Sequence, residues 1–265
     1  FRHQDRALVT RAYAGCANHI GGELAREAQY LRGVAVIHLE HRGATGGLDA
    51  ELLPHRALAP FVNRLRIVVR IVDATREEAG SDAIVGIRIN SDDGMAGGLG
   101  PAQWAEIAHK LEATGKLDYI SCSQGTYLNR MMIYPASPQE HGYQMAATRI
   151  VKASVDLPVV GVGRITTPDE AEAILRAGDC DFIGMTRALI ADAFWVRKAE
   201  RGEADKIRPC VGANWCLESI FAHAPLACIH NPSVGRERQL SEERIVPAAT
   251  PRKIAVVGAG PAGLR

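Results

Sequence analysis

Short apolar runs alternate along this chain with longer stretches whose apolar residues recur every three or four positions. Val34-Ala-Val-Ile-His-Leu39 has the length and β-branched character of a buried parallel strand. Val62, Leu65, Val68, Val69 and Val72 then repeat at helical spacing and give one apolar face. Ile84-Val-Gly-Ile-Arg-Ile89 reads as the next strand. A glycine-rich loop leads from it to a helix over 101–114, with Pro101 suited to the first turn. Asp118-Tyr-Ile-Ser-Cys122, Pro158-Val-Val-Gly-Val162 and Asp181-Phe-Ile-Gly-Met185 continue the strands. Further helices are expected over 140–154, after Thr167-Pro-Asp-Glu170, and beyond Arg187. Thr167 is an N-cap there, and the acids that follow favour the positive end of the helix dipole.

Strands and helices in this alternation predict an α/β fold, a (β/α)8 TIM barrel that is incomplete because five strands are legible where eight are needed. An open doubly wound sheet is the alternative arrangement of the same units. The β/α part is expected over 1–207. A cysteine-rich loop follows over 208–232, then a linker over 233–251 with Arg236-Glu-Arg238 and two prolines. From 252 the pattern restarts: the β-run Lys253-Ile-Ala-Val-Val257 leads into Gly258-Ala-Gly260-Pro-Ala-Gly263. Glycines so placed permit a tight turn and close approach of a pyrophosphate to a helix N-terminus. A complete βαβ unit needs about 30 residues, so the chain is expected to be part of a longer polypeptide, as the absence of Met at position 1 also suggests.

Composition narrows the chemistry. Apolar residues make up 47% and charged residues 23%, and the net charge is +1, so no basic surface argues for nucleic acid or anionic membrane. No apolar run approaches the roughly 20 residues that span a bilayer. The polar opening Phe1-Arg-His-Gln-Asp5 is no signal peptide. Six cysteines are too few for a disulfide scaffold of this size, and a reducing, cytoplasmic setting is expected.

Three of those cysteines, Cys210, Cys216 and Cys228, fall in one short loop. Thiolates gathered so closely are what an iron–sulfur cluster requires. A zinc site fits the spacing and the flanking folds less well. A relic loop of buried free thiols is the bland alternative. Cys16, Cys122 and Cys180 are scattered through the β/α elements and read as small buried apolar residues.

Several motifs in order resemble one family. They are Pro158-Val-Val-Gly-Val-Gly163-Arg164-Ile165, Asp181-Phe-Ile-Gly-Met-Thr186-Arg187-Ala-Leu-Ile-Ala-Asp192, Ile207-Arg-Pro-Cys210-Val-Gly212, Cys228-Ile-His-Asn-Pro232 and the Gly258/Gly260/Gly263 start. Together they resemble the NADH:flavin oxidoreductases related to old yellow enzyme. More narrowly, they resemble the long iron–sulfur members such as 2,4-dienoyl-CoA reductase, trimethylamine dehydrogenase and N-methylproline demethylase. At the front, Ile37-His38-Leu39-Glu40-His41-Arg42-Gly43 resembles the family's Gln-Leu-x-His-x-Gly strand, with His38 where Gln usually contacts the flavin. Phe61-Val-Asn63-Arg64-Leu-Arg66 resembles its Glu-Asn-Arg-x-Arg-Phe helix start. Between Pro60 and Phe61 the family carries a long block, with a barrel strand and substrate-facing groups, that this chain lacks.

The resemblance implies FMN across the carboxyl ends of the barrel strands. Arg88 matches the arginine that reaches the flavin ring, where a cation stabilises the charge that develops on reduction. His38 would donate to the pyrimidine edge. Gly163, Arg164, Thr186 and Arg187 would form the phosphate site at two consecutive strand ends. In the cysteine loop the family pattern has four ligands, and Ala213 stands in place of the second. Three thiolates remain for a [4Fe–4S] or [3Fe–4S] cluster, with His230 as a possible fourth ligand. Gly258, Gly260 and Gly263 would begin a domain for FAD or NAD(P). No catalytic acid or base is assigned.

The function expected is hydride and electron transfer between an organic substrate, FMN, the cluster and a nucleotide cofactor. NAD(P)H or another electron carrier is the expected partner, with homo-oligomerisation open. The substrate is an N-methylated amine or an activated alkene, and the Cys-Val-Gly-Ala opening tilts towards the amine. Two alternatives remain: a non-catalytic flavin-binding remnant, and an aldolase-type barrel, which leaves the cysteine loop unexplained.

Overall fold

The structure is a computed structural model that describes residues 34–38 and 59–260, with side chains from Leu65 onward. Its centre is a five-stranded parallel sheet of β1 (Val34–His38), β2 (Ile84–Asp92), β3 (Tyr119–Gln124), β4 (Val159–Gly161) and β5 (Phe182–Ile183). The strands lie in the order β1-β2-β3-β4-β5, each paired parallel with the next in sequence. A doubly wound sheet reverses its strand order at a switch point. This order has no reversal, which matches an incomplete β/α barrel.

Helices connect the strands. They are α1 (Ala59–Ala79), α2 (Pro101–Glu112), α3 (Arg130–Ile133), α4 (Met145–Lys152), α5 (Pro168–Arg176), α6 (Arg187–Ala191) and α7 (Trp195–Glu200). Alternation along the strands sorts the two faces of the sheet. Val85, Ile87, Ile89, Ile120, Cys122 and Val159 join one buried cluster with Val68 and Val72 of α1, Trp104, Ile107 and Leu111 of α2, and Val151 of α4. The intervening positions Arg88, Asn90, Ser121 and Ser123 give the opposite face a polar lining. Helices against one face and polar groups on the other are what a barrel wall requires.

The amino ends of the strands carry a repeated clip. Asp118 N–H donates to the Val85 carbonyl (2.8 Å) while Val85 N–H donates to the Asp118 carboxylate (2.7 Å). Asp181 and Val159 exchange the same two bonds at 2.9 and 2.7 Å. Arg76 adds to the first clip through Asp118 at 2.6 Å, and Lys152 to the second through Asp181 at 2.8 Å.

Two expectations are corrected. The helix expected over 140–154 begins only at Met145, because Gly142 takes φ 71° and its N–H donates to the Gly163 carbonyl at 2.7 Å. The β-run expected over 253–257 is not a strand, and Ile254, Val256 and Val257 are exposed. A single extended segment needs a neighbour for its backbone groups, and among the described residues none pairs with it.

The chain divides after Asn214 into two compact units, and the division falls inside the cysteine loop. The second unit holds α8 (Trp215–Phe221) and α9 (Glu237–Leu240), and its segment 236–258 is largely exposed. Among the described residues no helix is long and apolar enough to cross a membrane.

Candidate functional site

Three expected arginines lie on or after the strands: Arg88 within β2, Arg164 after β4 and Arg187 after β5. On β2, Arg88 is half-buried and its Nη1 donates to Ser121 Oγ at 3.1 Å, across the register pair that joins β2 to β3. On the other side His38 of β1 pairs with Arg88 in backbone register, while its side chain lies outside the described residues. Two residues earlier on the Arg88 face, a Cβ at Gly86 would come within 2.2 Å of the Tyr119 ring. Only glycine there lets the ring cross β2.

Beyond Arg88 a polar knot fixes the strand ends. Buried Asp93 accepts from Asn90 Nδ2 (2.9 Å), Trp104 Nε1 (3.1 Å) and Leu99 N–H (2.8 Å). Asn90 Nδ2 also reaches the Gly125 carbonyl at 2.9 Å, and Asn90 Oδ1 accepts from Ser123 Oγ at 3.0 Å. Each bond satisfies a group that burial would otherwise leave exposed to an apolar surrounding.

Gly163 and Arg164 follow β4, and Thr186 and Arg187 follow β5. Arg164 has φ 57° and its Nη1 donates to the carbonyls of Ser137 and Gln139. Arg187 Nη1 donates to the Pro135 carbonyl at 2.7 Å and to Asn214 Oδ1 at 2.6 Å. Both arginines therefore grip one loop, 134–139, with one nitrogen each. Thr186 is exposed at the start of α6 and its side chain caps nothing. Behind Gly163 lies Gln144: a Cβ on that glycine would be 3.1 Å from the Gln144 nitrogen. Gln144 Nε2 donates to Tyr143 Oη (2.6 Å), which donates to the Met132 carbonyl (2.7 Å). Burial pushes the Tyr143 phenol up, against the Gln144 bond and the charges of Arg187 and Arg88, so it stays protonated at neutral pH.

Two buried polar atoms here have no partner: Gln144 Oε1 and Arg164 Nε. A guanidinium on the polar face of β2 and two after the carboxyl ends of β4 and β5, one with an orphaned buried N–H, fit a ligand carrying a phosphate and a polar ring edge. Tyr143, Gln144, Asn90, Asp93 and Asn214 carry no motif in the sequence. The nearest signal is Asn214 itself, an asparagine between two of the clustered cysteines.

The remaining expected site residues lie at the end of the first unit and in the second. Cys210 is half-buried in the first unit, while Cys216 is buried and Cys228 half-buried in the second, and all three are free thiols. Among the described residues no three His, Cys, Asp or Glu side chains are grouped to hold a metal. Gly258 has φ 114° and Gly260 is exposed, with nothing within 4 Å of a Cβ at either. Gly263 lies outside the described residues, as do His41 and Cys16.

Comparison with known proteins gives a consistent picture. Residues 61–206 match the NADH:flavin oxidoreductase / NADH oxidase family. The N,N-dimethylglycine/sarcosine dehydrogenase of Chromohalobacter salexigens is 35% identical over 210 residues, covering 77% of this chain and 30% of that protein. A metal reductase of Desulforamulus reducens is 37% identical over 202 residues, covering 76% and 30%. The solved structure of a 2-naphthoyl-CoA reductase in complex with 2-naphthoyl-CoA aligns with a TM-score of 0.70 at 31% identity, covering 76% of this chain and 31% of that one. The chain thus spans about a third of the length of the relatives it matches.

Proposed function

The chain belongs to the NADH:flavin oxidoreductase / NADH oxidase family, and from that premise we propose that its β/α unit holds FMN across the carboxyl ends of the strands for hydride transfer with an organic substrate. The observation that carries this reading is the placement of Arg88 on the polar face of β2, with Arg164 and Arg187 in the segments that follow β4 and β5. Arg164 and Arg187 would hold the phosphate, with Gly163 and Thr186 beside them. Arg88 and His38 would face the ring. FMN, when bound, supplies a two-electron acceptor and donor. Arg88, steadied by Ser121, keeps a fixed positive charge where negative charge develops on reduction.

The substrate reading is an N-methylated amine. Its support is the Cys210-Val-Gly-Ala213 opening and the likeness to a dimethylglycine/sarcosine dehydrogenase. Loss of a hydride from the N-methyl carbon leaves an iminium, which water converts to formaldehyde and the demethylated amine. FMN-loaded protein mixed anaerobically with N-methylproline should lose its yellow colour and release formaldehyde. Turnover of an enoyl thioester with NADH, without either response, would overturn the amine reading in favour of alkene reduction.

A second reading has its own observation. Helix α1 runs without a break through Pro60 and Phe61, where the family's long block is missing. That favours a flavin-binding remnant without turnover, for which the protein would be yellow but inert with NADH and every acceptor. The spacing of Cys210, Cys216 and Cys228 supports an iron–sulfur cluster, and Gly258, Gly260 and Gly263 a domain for FAD or NAD(P), only as extensions of the proposal. No step above passes through either. Iron and sulfide analysis of anaerobically prepared protein tests the first: absence of both removes the cluster.

A further inference from the structure

Asn214 sits where three backbone segments meet. Its φ of 57° is left-handed, a conformation that asparagine tolerates better than most residues. Gly212, two residues earlier, has φ 69°, and a Cβ on it would lie 3.1 Å from the Ser137 nitrogen and 3.2 Å from its Cα. The backbone of 212–214 is therefore pressed against the 134–139 loop that Arg164 and Arg187 grip. From this position Asn214 Oδ1 accepts from Arg187 Nη1 at 2.6 Å while its Nδ2 donates to the Tyr134 carbonyl at 3.1 Å. A primary amide accepts and donates in one plane, and few short side chains can do both.

The consequence falls on Arg187. Its Nη1 meets two acceptors, Asn214 Oδ1 and the Pro135 carbonyl, so both N–H bonds of that nitrogen are used and the guanidinium plane is set. What remains is the Nε–Nη2 edge, the edge that binds a phosphate through two parallel N–H bonds. We propose that Asn214 is a positioning residue for phosphate recognition: it holds Arg187 against the loop so that its open edge is preorganised for the flavin phosphate. The proposal rests on the flavin reading above. It adds that the cysteine-loop segment 210–214 takes part in phosphate selectivity. Without the amide, Nη1 keeps one acceptor, the guanidinium turns more freely, and binding must order it anew.

The test uses the full chain and two ligands that differ only in the phosphate, FMN and riboflavin. Asn214→Gly keeps the left-handed backbone and removes the amide. It should weaken FMN binding about tenfold, as expected for one hydrogen bond to a charged group, and leave riboflavin binding unchanged. Asn214→Asp keeps the turn but neutralises Arg187, and should give the same FMN-selective loss. Asn214→Gly combined with Arg187→Lys should bind FMN no more weakly than Arg187→Lys alone, because the amide acts through the guanidinium. Equal loss of both ligands, no loss of either, or additive effects in the double variant would overturn the proposal. If the unmodified protein does not prefer FMN to riboflavin, the phosphate reading itself fails and this proposal falls with it.

Discussion

Cys122 and Cys180 illustrate how far a single residue can be read from the chain. Both were expected to be small apolar fillers, and both are buried in the core behind the sheet. Burial pushes the Cys122 thiol up to about 12, against the pull of the Arg88 charge, and the Cys180 thiol up to about 11. A thiol must ionise to react. Brief alkylation at pH 8 followed by peptide mapping should therefore leave Cys122 and Cys180 unlabelled while the half-buried Cys210 and Cys228 are modified. Rapid labelling of Cys122 in folded protein would contradict the burial. Arg88, Arg164 and Arg187 were legible for a different reason: the first interrupts an apolar run and the other two follow one, so each could be placed on or after a strand. Gln144 and Asn214 were not legible, because the groups they meet come close only through the folding of the loops. Gln144 is brought to Gly163 by a turn, and Asn214 to Arg187 by contacts spanning 27 residues.

At the scale of elements, local chemistry predicted most of what formed. Thr167 caps α5 as expected: its Oγ1 accepts from Glu170 N–H at 3.3 Å, and Glu170 Oε2 accepts in return from Thr167 N–H at 3.1 Å. The tertiary part was hidden. Glu170 also accepts from Thr166 N–H at 2.8 Å and meets His141 Nδ1 at 2.5 Å, which ties α5 to the turn before α4. Burial raises the Glu170 carboxyl, but the Thr166 and Thr167 N–H groups and His141 outweigh it and hold the carboxyl below its usual 4.5. A depressed carboxyl stabilises the fold above its unfolded value and loses that contribution as pH falls through the folded one. Tm of the parent should therefore drop faster than that of Glu170→Gln as pH falls below about 4.5, and parallel curves would contradict this. In the core, Leu111 on α2 is fully buried, and Leu111→Ala should cost roughly 2–5 kcal/mol in urea unfolding. A loss under about 0.5 kcal/mol, the range of surface changes, would mean that α2 does not pack as described. The helix expected over 140–154 was misjudged at its start because apolar spacing does not register the left-handed Gly142. The segment 253–257 was misjudged because composition marks a strand without supplying its neighbour.

For the whole molecule, the choice between a barrel wall and a doubly wound sheet could not be made from the strands as a list. Both folds use the same β/α units, and only the pairing order separates them. The uninterrupted order β1-β2-β3-β4-β5, with helices packed on the apolar face, is consistent with an incomplete barrel and lacks the reversal of a doubly wound sheet. It also separates two kinds of conservation of form within one sheet. The Asp118 and Asp181 clips stabilise the amino ends, while Arg164 and Arg187 follow the carboxyl ends of β4 and β5, where β/α barrels place their chemistry. The loop 134–139 lies between the arginines and the segment 212–214, so the region expected to bind phosphate is built from three stretches of chain rather than from one motif.

The account stands most directly on the affinity of the purified chain for FMN, read from the change in the flavin absorption spectrum on titration, beside Arg164→Ala and Arg187→Ala. It predicts saturable binding by the parent and a loss of about tenfold or more in each variant, the scale of a charge-assisted contact, with both variants still folded at the temperature of the titration. Failure of the parent to bind FMN, or equal affinity in all three proteins, would contradict it.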